Sequence, residues 1–296
     1  MIEIILNPRS GEGKRKKLFA RALARFKERK QEVRVHETER AGQAKELART
    51  LSQEGGELVV IGGDGTLHEV INGFENFENC SLGLIPAGTG NDFAAAVGIP
   101  AVPEQAVDLI LDTPAQPTEF MQLPGVRGIN AAGTGIDVEI LKRCRASKVL
   151  RGKFQYIISL IISLCKFKNY RMKVRANGKE HAFNALIACV GNGHRIGGGI
   201  PICPEAKVGD GLLDLVVVDD VKKLAVPPAF IKLMKGGILR EKFTFFERCE
   251  HAEIEPETPQ TLQVDGELYD GIPFIVDVVK DKLRMHRALP AGEGGA

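Results

Sequence analysis

The sequence predicts two domains of different fold class. Over residues 1–125, short apolar runs alternate with stretches whose apolar residues recur at helical spacing, which is typical of an α/β domain with a parallel sheet. Over residues 126–283, apolar and polar residues alternate within strands that turn signals separate, which predicts a mainly antiparallel domain. Residues 284–296 are expected to return to the first domain and to end in a loose tail.

The elements of the first domain follow one another in a regular order. The patterns predict a strand at Ile2–Leu6, a helix at Lys14–Lys30, a strand at Glu32–Thr38, a helix at Gly42–Ser52, a strand at Glu57–Ile61, a helix at Thr66–Phe74, a strand at Ser81–Pro86 and a helix from Asn91. The loops NPRSGEG, GGDGT and PAGTGND follow the first, third and fourth strands. In parallel sheets, ligands bind in the loops at the carboxyl ends of the strands.

The second domain begins with a strand and a Gly-rich turn in GINAAGTGID. A helix is predicted at Phe154–Cys165, and alternating strands follow as far as FIVDVV. Asn177-Gly178 lies between two of these strands and predicts a tight hairpin, because both residues tolerate a positive φ.

Composition and charge exclude several classes of protein. Lys and Arg number 40 and Asp and Glu number 38, so a net charge of +2 gives no reason to expect a nucleic-acid partner. The 6 cysteines form no CxxC pair and no secretory signal is recognisable, which predicts a cytoplasmic protein with reduced thiols. The apolar run Tyr156–Cys165 is roughly half the length that crosses a bilayer, so an integral membrane protein is not expected.

The three glycine-rich loops have two interpretations. A single such turn can be no more than a tight connection between a strand and a helix. Three turns at equivalent strand ends favour a phosphate site, because backbone N–H groups at helix N-termini bind anions, and a nucleotide is the simplest such ligand. The chain has no GxxxxGK[ST] loop and no protein-kinase motif set, and GxGxxG fails because His68 stands at its last position. A P-loop protein, a protein kinase and a hydride-transfer enzyme are therefore disfavoured.

Asp64 stands between glycines in the loop IGGDGTLHE, where a lone carboxylate would repel a polyphosphate. A nucleotide that brings Mg2+ removes this conflict, because the cation lies between the two anionic groups. The alternative is that Asp64 caps the helix predicted from Thr66. Both interpretations stay open on these residues alone.

Five motifs, in this order and spacing, resemble those of the bacterial diacylglycerol kinase-like lipid kinases, a family related to sphingosine and ceramide kinases. They are NPRSG, GGDGTLHEVINGF, PAGTGNDFA, RIGGGIPICPEAKVGDGLLDLVVV and QVDGE, and together they extend over nearly the whole chain. The resemblance implies an α/β nucleotide-binding domain of the NAD kinase and diacylglycerol kinase type and a β-sandwich-like second domain. It also implies an ATP- and Mg2+-dependent kinase that phosphorylates the hydroxyl of diacylglycerol or a related lipid.

The resemblance assigns roles to individual residues. The ATP site would consist of Asn7, Pro8, Arg9, Ser10, Gly11, Thr38, Gly62, Gly63, Asp64, Gly65, Thr66, Leu67, His68 and Thr89. Asp64 and Asp92 would hold the Mg2+ of the nucleotide. In the segment KVGDGLL, Asp210 and the backbone carbonyl groups of Lys207 and Leu212 would form a second, structural Mg2+ site.

The VDGE turn is implied to supply the catalytic base, Asp265 or Glu267, which would take the proton of the acceptor hydroxyl. The residues alone allow another interpretation, a tight Asp-Gly hairpin turn. Two other functions also stay open: an NAD kinase or other small-molecule kinase, which would share the GGDGT turn, and a nucleotide-binding regulator without turnover. NAD kinases usually carry an Asn-Glu pair where this chain has Asn91-Asp92, and this departure favours a lipid acceptor.

A kinase of a bilayer lipid must reach a membrane surface. From Leu141 to Arg175 the chain holds many Lys and Arg residues and neither Asp nor Glu, and Lys14–Lys17 forms a second basic cluster. Basic residues beside an apolar helix predict peripheral, transient and salt-sensitive binding of an anionic membrane. The alternative is a solvated helix face around a core helix. The oligomeric state stays open, with a homodimer among the outcomes.

Overall fold

A parallel sheet with helices forms the first part of the chain, as the alternating pattern predicts. The computed structural model describes residues 1–8, 14–146, 168–222 and 225–288. The strands are β1 (Ile2–Leu6), β2 (Val33–Glu37), β3 (Gly56–Gly62) and β4 (Cys80–Pro86). They pair in parallel in the order β2-β1-β3-β4, so the carboxyl ends of β1, β3 and β4 meet at one edge of the sheet.

Amphipathic helices connect these strands. They are α1 (Lys14–Glu28), α2 (Gln43–Glu54), α3 (Asp64–Gly73), α4 (Asp92–Ala96) and α5 (Pro103–Asp112). Helix α3 packs so closely against α2 that a Cβ atom on Gly73 would lie 2.0 Å from the carbonyl oxygen of Lys45. The glycine near the end of GGDGTLHEVINGF is therefore required by helix packing.

Helices α1 and α4 are two of the helices whose bounds differ from the prediction. Helix α1 ends at Glu28 rather than at Lys30, which adopts a left-handed conformation with φ of 54°. The helix predicted from Asn91 is the short α4, and Gly98, with φ of 68°, follows it before α5 begins. In both cases a left-handed residue follows the helix and turns the chain away.

The described residues form two compact units. One comprises Met1–Glu119 together with the segment that begins at Lys280, and the other comprises Phe120–Val279. Strand β16 (Phe274–Met285) runs from the second unit into the first.

The C-terminal segment completes the sheet of the first unit. Arg284 and Met285 pair in parallel with Ser81 and Leu82 of β4. Nδ1 of the buried His286 lies 2.8 Å from the carbonyl oxygen of Thr113. The segment is therefore a packed part of the first unit.

The second unit contains two antiparallel sheets. The first includes β8 (Tyr170–Ala176), β9 (Lys179–Ala185), β13 (His251–Pro256) and the first part of β16. The second consists, in spatial order, of β12 (Thr244–Cys249), β11 (Leu213–Val218), β10 (Ile187–Gly191), β7 (Ala131–Gly135), β14 (Leu262–Val264) and β15 (Glu267–Tyr269). Strand β5 (Gln116–Leu123), which begins in the first unit and ends in the second, pairs with β6 (Val126–Gly128). The described α-helices of the second unit are α6 (Ile136–Ala146) and α7 (Val226–Met234).

One apolar core draws side chains from both sheets of the second unit. Val174 and Val276 of the first sheet belong to the same buried cluster as Ala188 and Leu215 of the second. This arrangement confirms the predicted β-sandwich-like class.

The hairpin predicted at Asn177-Gly178 joins β8 and β9. Asn177 and Gly178 have φ of 49° and 74°, and Ala176 pairs with Lys179 across the turn. Positive φ at both central residues is the geometry of a type I′ turn, so this prediction is confirmed.

One prediction for the second domain falls where the structure gives no description. The helix expected at Phe154–Cys165 lies outside the described residues, as does most of the basic stretch around it. Among the helices within the described ranges, none has both the length and the apolar character needed to cross a bilayer.

Candidate functional site

The loop after β1 and the start of α3 are tied together at the carboxyl edge of the parallel sheet. The side-chain amide of Asn7 donates to Oγ1 of the buried Thr66 at 3.0 Å. A Cβ atom on Gly62 would lie 2.7 Å from Cβ of Thr66. Thr38, directly after β2, is held nearby because its N–H donates to the carbonyl of Leu6 at 2.9 Å. The fold thus gathers Asn7, Thr38, Gly62 and Thr66 at one edge.

The loops after β3 and β4 touch backbone to backbone. A Cβ atom on Gly63 would lie 2.7 Å from Cα of Gly88, and one on Gly88 would lie 2.6 Å from Cα of Gly63. Asn91, with φ of 54°, accepts the N–H of Gly88 at 2.7 Å and donates to its carbonyl at 3.1 Å. Gly88 and Asn91 were not among the predicted site residues. The glycine pattern of PAGTGND indicates this contact, because two backbone segments approach this closely only where both residues lack a side chain.

Two carboxylates lie where these loops meet. Asp64 is the first residue of α3 and Asp92 is the first residue of α4. Oδ1 of Asp64 lies 3.4 Å from the backbone N–H of Phe93. Burial raises the pKa of Asp64, and the negative charge of Asp92 raises that pKa further. A half-buried carboxylate beside a second one is stabilised by a cation.

The helix that contains Asp64 is not capped by it. The N-cap residue of α3 is Gly63, and the helix begins at Asp64 rather than at Thr66. The alternative interpretation of Asp64 as the cap of a helix from Thr66 is therefore wrong in its geometry. Its carboxylate instead faces the start of α4, through the N–H of Phe93.

The pair of carboxylates fits a cation that arrives with a nucleotide. Mg2+ is usually held by one or two protein carboxylates, with phosphate and water oxygens as its other ligands. Across the described parts of the chain, no group of three or more His, Cys, Asp or Glu side chains could hold a metal ion by itself. Asp64 and Asp92 remain the predicted ligands, to which the phosphate oxygens of a bound nucleotide would add.

The remaining residues of the predicted ATP site differ in their solvent exposure. Gly65 and Thr89 are exposed and Pro8 is half-buried. Leu67 and His68 are 0% and 3% exposed, and the N–H of Leu67 already donates to the carbonyl of Gly63 at 3.0 Å. Leu67 and His68 can thus support the loop from within. Arg9, Ser10 and Gly11 lie outside the described residues.

Glu69 is a supporting residue that the sequence reasoning missed. Its two carboxylate oxygens accept the N–H groups of Gly42 at 3.0 Å and Ala44 at 3.2 Å. These groups lie at the N-terminus of α2, where a negative charge is favourable. Glu69 therefore fixes α3 against α2. Its pairing is between residues distant in sequence, and no local pattern reveals it.

The VDGE segment forms a tight hairpin in the second unit. Asp265 and Gly266 have φ of 51° and 87°, and Val264 pairs with Glu267 across the turn. The interpretation of this segment as an Asp-Gly hairpin is confirmed. That result leaves both carboxylates of the turn as candidates for the base, because a turn also holds its side chains in fixed positions.

The two carboxylates of the turn have different surroundings. The Asp265 carboxylate accepts the backbone N–H groups of Ile129 at 2.8 Å, Asn130 at 2.8 Å and Ala131 at 3.1 Å. The Glu267 side chain is 47% exposed, and its Oε2 accepts from the guanidinium of Arg145 at 2.7 Å. Asp265 therefore holds a backbone segment, whereas the carboxylate of Glu267 reaches solvent.

The predicted second Mg2+ site is a turn that also contacts an arginine. Oδ1 of Asp210 accepts the N–H of Leu212 at 3.0 Å, and Oδ2 lies 3.8 Å from Nη1 of Arg248. Arg248 also donates to the carbonyl of Glu205 at 2.8 Å. A protein cation thus already lies beside this carboxylate. The site at Lys207, Asp210 and Leu212 stays a prediction.

An apolar cavity lies in the second unit. Its empty space is about 650 Å³, a figure that includes solvent space at its open side. The lining residues are Ile136, Asp137, Ile140, Leu186, Ile187, Ile196, Ile200, Ile202, Val218, Val221, Val226, Ala229, Phe230, Leu233 and Ile238, of which all but Asp137 are apolar. Burial raises the pKa of Asp137 to about 7. The cavity therefore offers an apolar wall with one acid that is partly protonated at neutral pH.

Part of the predicted basic stretch is compensated within the fold. Arg145 pairs with Glu267, and Lys173 lies 3.5 Å from Glu180. Arg175 contacts three carboxylates, those of Glu180, Glu253 and Glu255, at 2.8, 3.0 and 3.1 Å. These cations already pair with carboxylates of the fold, which leaves less of the stretch for binding an anionic surface.

Comparison with known proteins identifies the family. A family model described as diacylglycerol kinase catalytic domain matches residues 2–123, and one described as YegS C-terminal NAD kinase beta sandwich-like domain matches residues 130–287. These matches confirm the resemblance drawn from the five motifs.

Individual relatives match over most of their own length. A "Diacylglycerol kinase" from Bacillus subtilis (strain 168) is 28% identical over 273 residues, which cover 91% of this chain and 90% of that protein. A "Probable lipid kinase YegS-like" from Xanthomonas euvesicatoria is 32% identical over 243 residues, or 77% of this chain and 78% of that protein. A solved structure of a diacylglycerol kinase from Bacillus anthracis shares the fold, with a TM-score of 0.74, 24% identity and coverage of 97% and 96%. The chain therefore belongs to the diacylglycerol kinase-like family of lipid kinases, which transfer a phosphoryl group to an alcohol.

Proposed function

We propose that this chain is an ATP- and Mg2+-dependent lipid kinase whose acceptor is the hydroxyl of diacylglycerol or a related lipid. The observation that carries the proposal is the pair Asp64 and Asp92, which lies among glycine loops at the carboxyl edge of a parallel sheet. Backbone N–H groups of the loops would bind the phosphates, and the two carboxylates would hold Mg2+. When bound there, Mg2+ would supply neutralisation of the charge that develops on the transferred phosphoryl group.

Glu267 is the better candidate for the base that receives the hydroxyl proton. A base must reach the acceptor, and the Glu267 carboxylate is half exposed, whereas that of Asp265 is engaged by three backbone donors. The ion pair with Arg145 would orient the carboxylate. Asp265 would then act as a positioning residue that fixes the turn.

The apolar cavity of the second unit suits an acyl chain of the acceptor. Its lining is apolar apart from Asp137, which suits the hydrocarbon of an acyl chain. Small polar acceptors would leave this surface unfilled. The cavity thus supports a lipid over a nucleotide or a sugar as acceptor.

We further propose that the protein acts in the cytoplasm and docks transiently on anionic membranes. The support is the excess of Lys and Arg between Leu141 and Arg175, and the need of a lipid kinase to reach its acceptor. Binding of anionic vesicles should fall as salt concentration rises, because surface charges are screened.

The direct test is incubation with labelled ATP, Mg2+ and a panel of acceptors. The panel contains diacylglycerols, monoacylglycerols, sphingoid bases and ceramide in mixed micelles, together with NAD. Labelled lipid product that disappears with Asp64→Asn supports the proposal. Labelled NADP in place of lipid product would instead indicate an NAD kinase, and ATP binding without any labelled product would indicate a regulator.

A further inference from the structure

Helix α7, Val226–Met234, has an unusual composition for its exposure. Its sequence VPPAFIKLM has one charged residue, yet none of its side chains is buried. Ile231 and Met234 are 57% and 46% exposed. A helix that is apolar on every side is normally buried in a core or in a membrane.

The apolar residues of α7 form two stripes. Val226, Ala229, Phe230 and Leu233 recur at i, i+3, i+4 and i+7 and line the apolar cavity. Pro227, Ile231 and Met234 recur at i, i+4 and i+7 on another face and are exposed. The inner stripe is explained by the cavity, whereas the outer stripe has no partner among the described contacts of the helix.

The charges around the outer stripe are mainly positive. The exposed cations in and beside the helix are Lys222, Lys232, Lys235, Arg240 and Lys242. Acidic neighbours in the same stretch are Asp219, Asp220 and Glu241. Lys232 pairs with Glu241 at 2.5 Å, and Asp220 accepts from Asn169, also at 2.5 Å. An apolar stripe with a surplus of cations complements an anionic lipid surface, whereas the same face of a second copy of this chain would bring like charges together.

We propose that the outer stripe of α7 inserts into the interfacial region of an anionic bilayer. The flanking lysines would then lie at the level of the lipid headgroups, and the inner stripe would hold the cavity directly behind the membrane contact. The partner is thus a bilayer rather than a second copy of this chain. The link from the cavity to the acceptor lipid rests on the proposed function, whereas the insertion of α7 does not.

Insertion can be tested by fluorescence because the chain contains no tryptophan. Ile231→Trp introduces a single reporter, and Val102→Trp is the matched control at another exposed apolar residue, 41% exposed and in the first unit. The probe is vesicles of equal parts phosphatidylglycerol and phosphatidylcholine. We expect a blue shift and quenching by brominated acyl chains for Ile231→Trp alone. An unshifted spectrum under conditions where the protein cosediments with the vesicles overturns the proposal.

A second variant measures the consequence for binding and turnover. We expect Ile231→Asp combined with Met234→Asp to reduce vesicle binding and phosphorylation of vesicle-borne lipid about tenfold or more. Phosphorylation of a water-soluble, short-chain acceptor should stay unchanged, and Val102→Asp should affect neither. An equal loss of phosphorylation on both acceptors overturns the proposal. The proposal is also overturned if the parent protein is a dimer, the double variant is a monomer and vesicle binding persists. If insertion occurs but no lipid is phosphorylated, the proposed function fails and the docking of α7 stands.

Discussion

Two of the Asp-Gly dipeptides in this chain, Asp64-Gly65 and Asp265-Gly266, lie in turns where the aspartate has different surroundings. Asp64-Gly65 follows the central strand of a parallel sheet and opens helix α3. Asp265-Gly266 forms the two central residues of an antiparallel hairpin. The Asp64 carboxylate is half-buried beside the carboxylate of Asp92, and it faces the backbone N–H groups of Asn91, Asp92 and Phe93, the last at 3.4 Å. The Asp265 carboxylate accepts three backbone N–H groups at 3.1 Å or less.

The difference shows how surroundings assign a role to the same residue pair. Burial and the charge of Asp92 raise the pKa of Asp64 in spite of its backbone donors, so a cation is still favoured there, whereas the Asp265 carboxylate is held by three backbone N–H groups. Asp64 is thus suited to a ligand that the protein does not itself supply. Asp265 is suited to fix the backbone of residues 129–131, and Glu267 beside it remains the candidate for the general base.

The largest expected effect is at Asp64. We expect Asp64→Asn to lower kcat for phosphoryl transfer on the order of 10³-fold, because the variant lacks a carboxylate that we propose holds the charge-neutralising cation. Steady-state assays at several Mg2+ concentrations measure this effect. Asp281→Asn, at an exposed aspartate of the same unit, is the control and should retain full activity. Turnover of Asp64→Asn at the parent rate would show that the cation is held elsewhere.

Glu267→Gln should have the next largest effect on activity. Removal of the proposed general base is expected to lower kcat about 10²-fold, whereas loss of the exposed ion pair with Arg145 should change the free energy of unfolding by less than about 1 kcal/mol. Kinetics and urea unfolding on the same preparation separate the two quantities. Glu255→Gln is the matched control, since Glu255 is also an exposed partner of an arginine, Arg175. An unaffected kcat would return the role of base to Asp265 or to another group.

Asp265→Asn should act chiefly on stability. An amide keeps one acceptor oxygen but turns an N–H group toward backbone donors, so we expect a loss of about 2 kcal/mol in the free energy of unfolding. Asp281→Asn is again a close control, because Asp281 also has a positive φ, 58° against 51° for Asp265. Urea unfolding of both variants measures the difference. Equal stability of the two variants would contradict the structural role given to Asp265.

The sequence predicts the elements that contain the two Asp-Gly turns, but it does not predict the surroundings of each carboxylate. Hydrophobic periodicity locates β1 and β3, and the Asp-Gly pair predicts the hairpin, because these signals are local. The choice between Asp265 and Glu267 is not local. It depends on backbone N–H groups of residues 129–131, which are more than a hundred positions away in the chain. The apolar cavity is equally hidden, since its walls come from separate segments of the second unit.

The smallest effects should come from the two glycines. Gly65 lies within α3 and is exposed, so Gly65→Ala should raise the free energy of unfolding by up to about 1 kcal/mol. Gly266 has φ of 87°, a left-handed conformation that alanine adopts at a cost. Gly266→Ala should therefore lower the free energy of unfolding by about 1 kcal/mol, although no atom lies within 4 Å of the new Cβ. Urea unfolding measures whether each substitution raises or lowers the free energy of unfolding. A stabilised Gly65→Ala variant with weaker ATP binding would indicate that the nucleotide approaches the backbone there, and unchanged ATP binding would place the phosphates away from this residue.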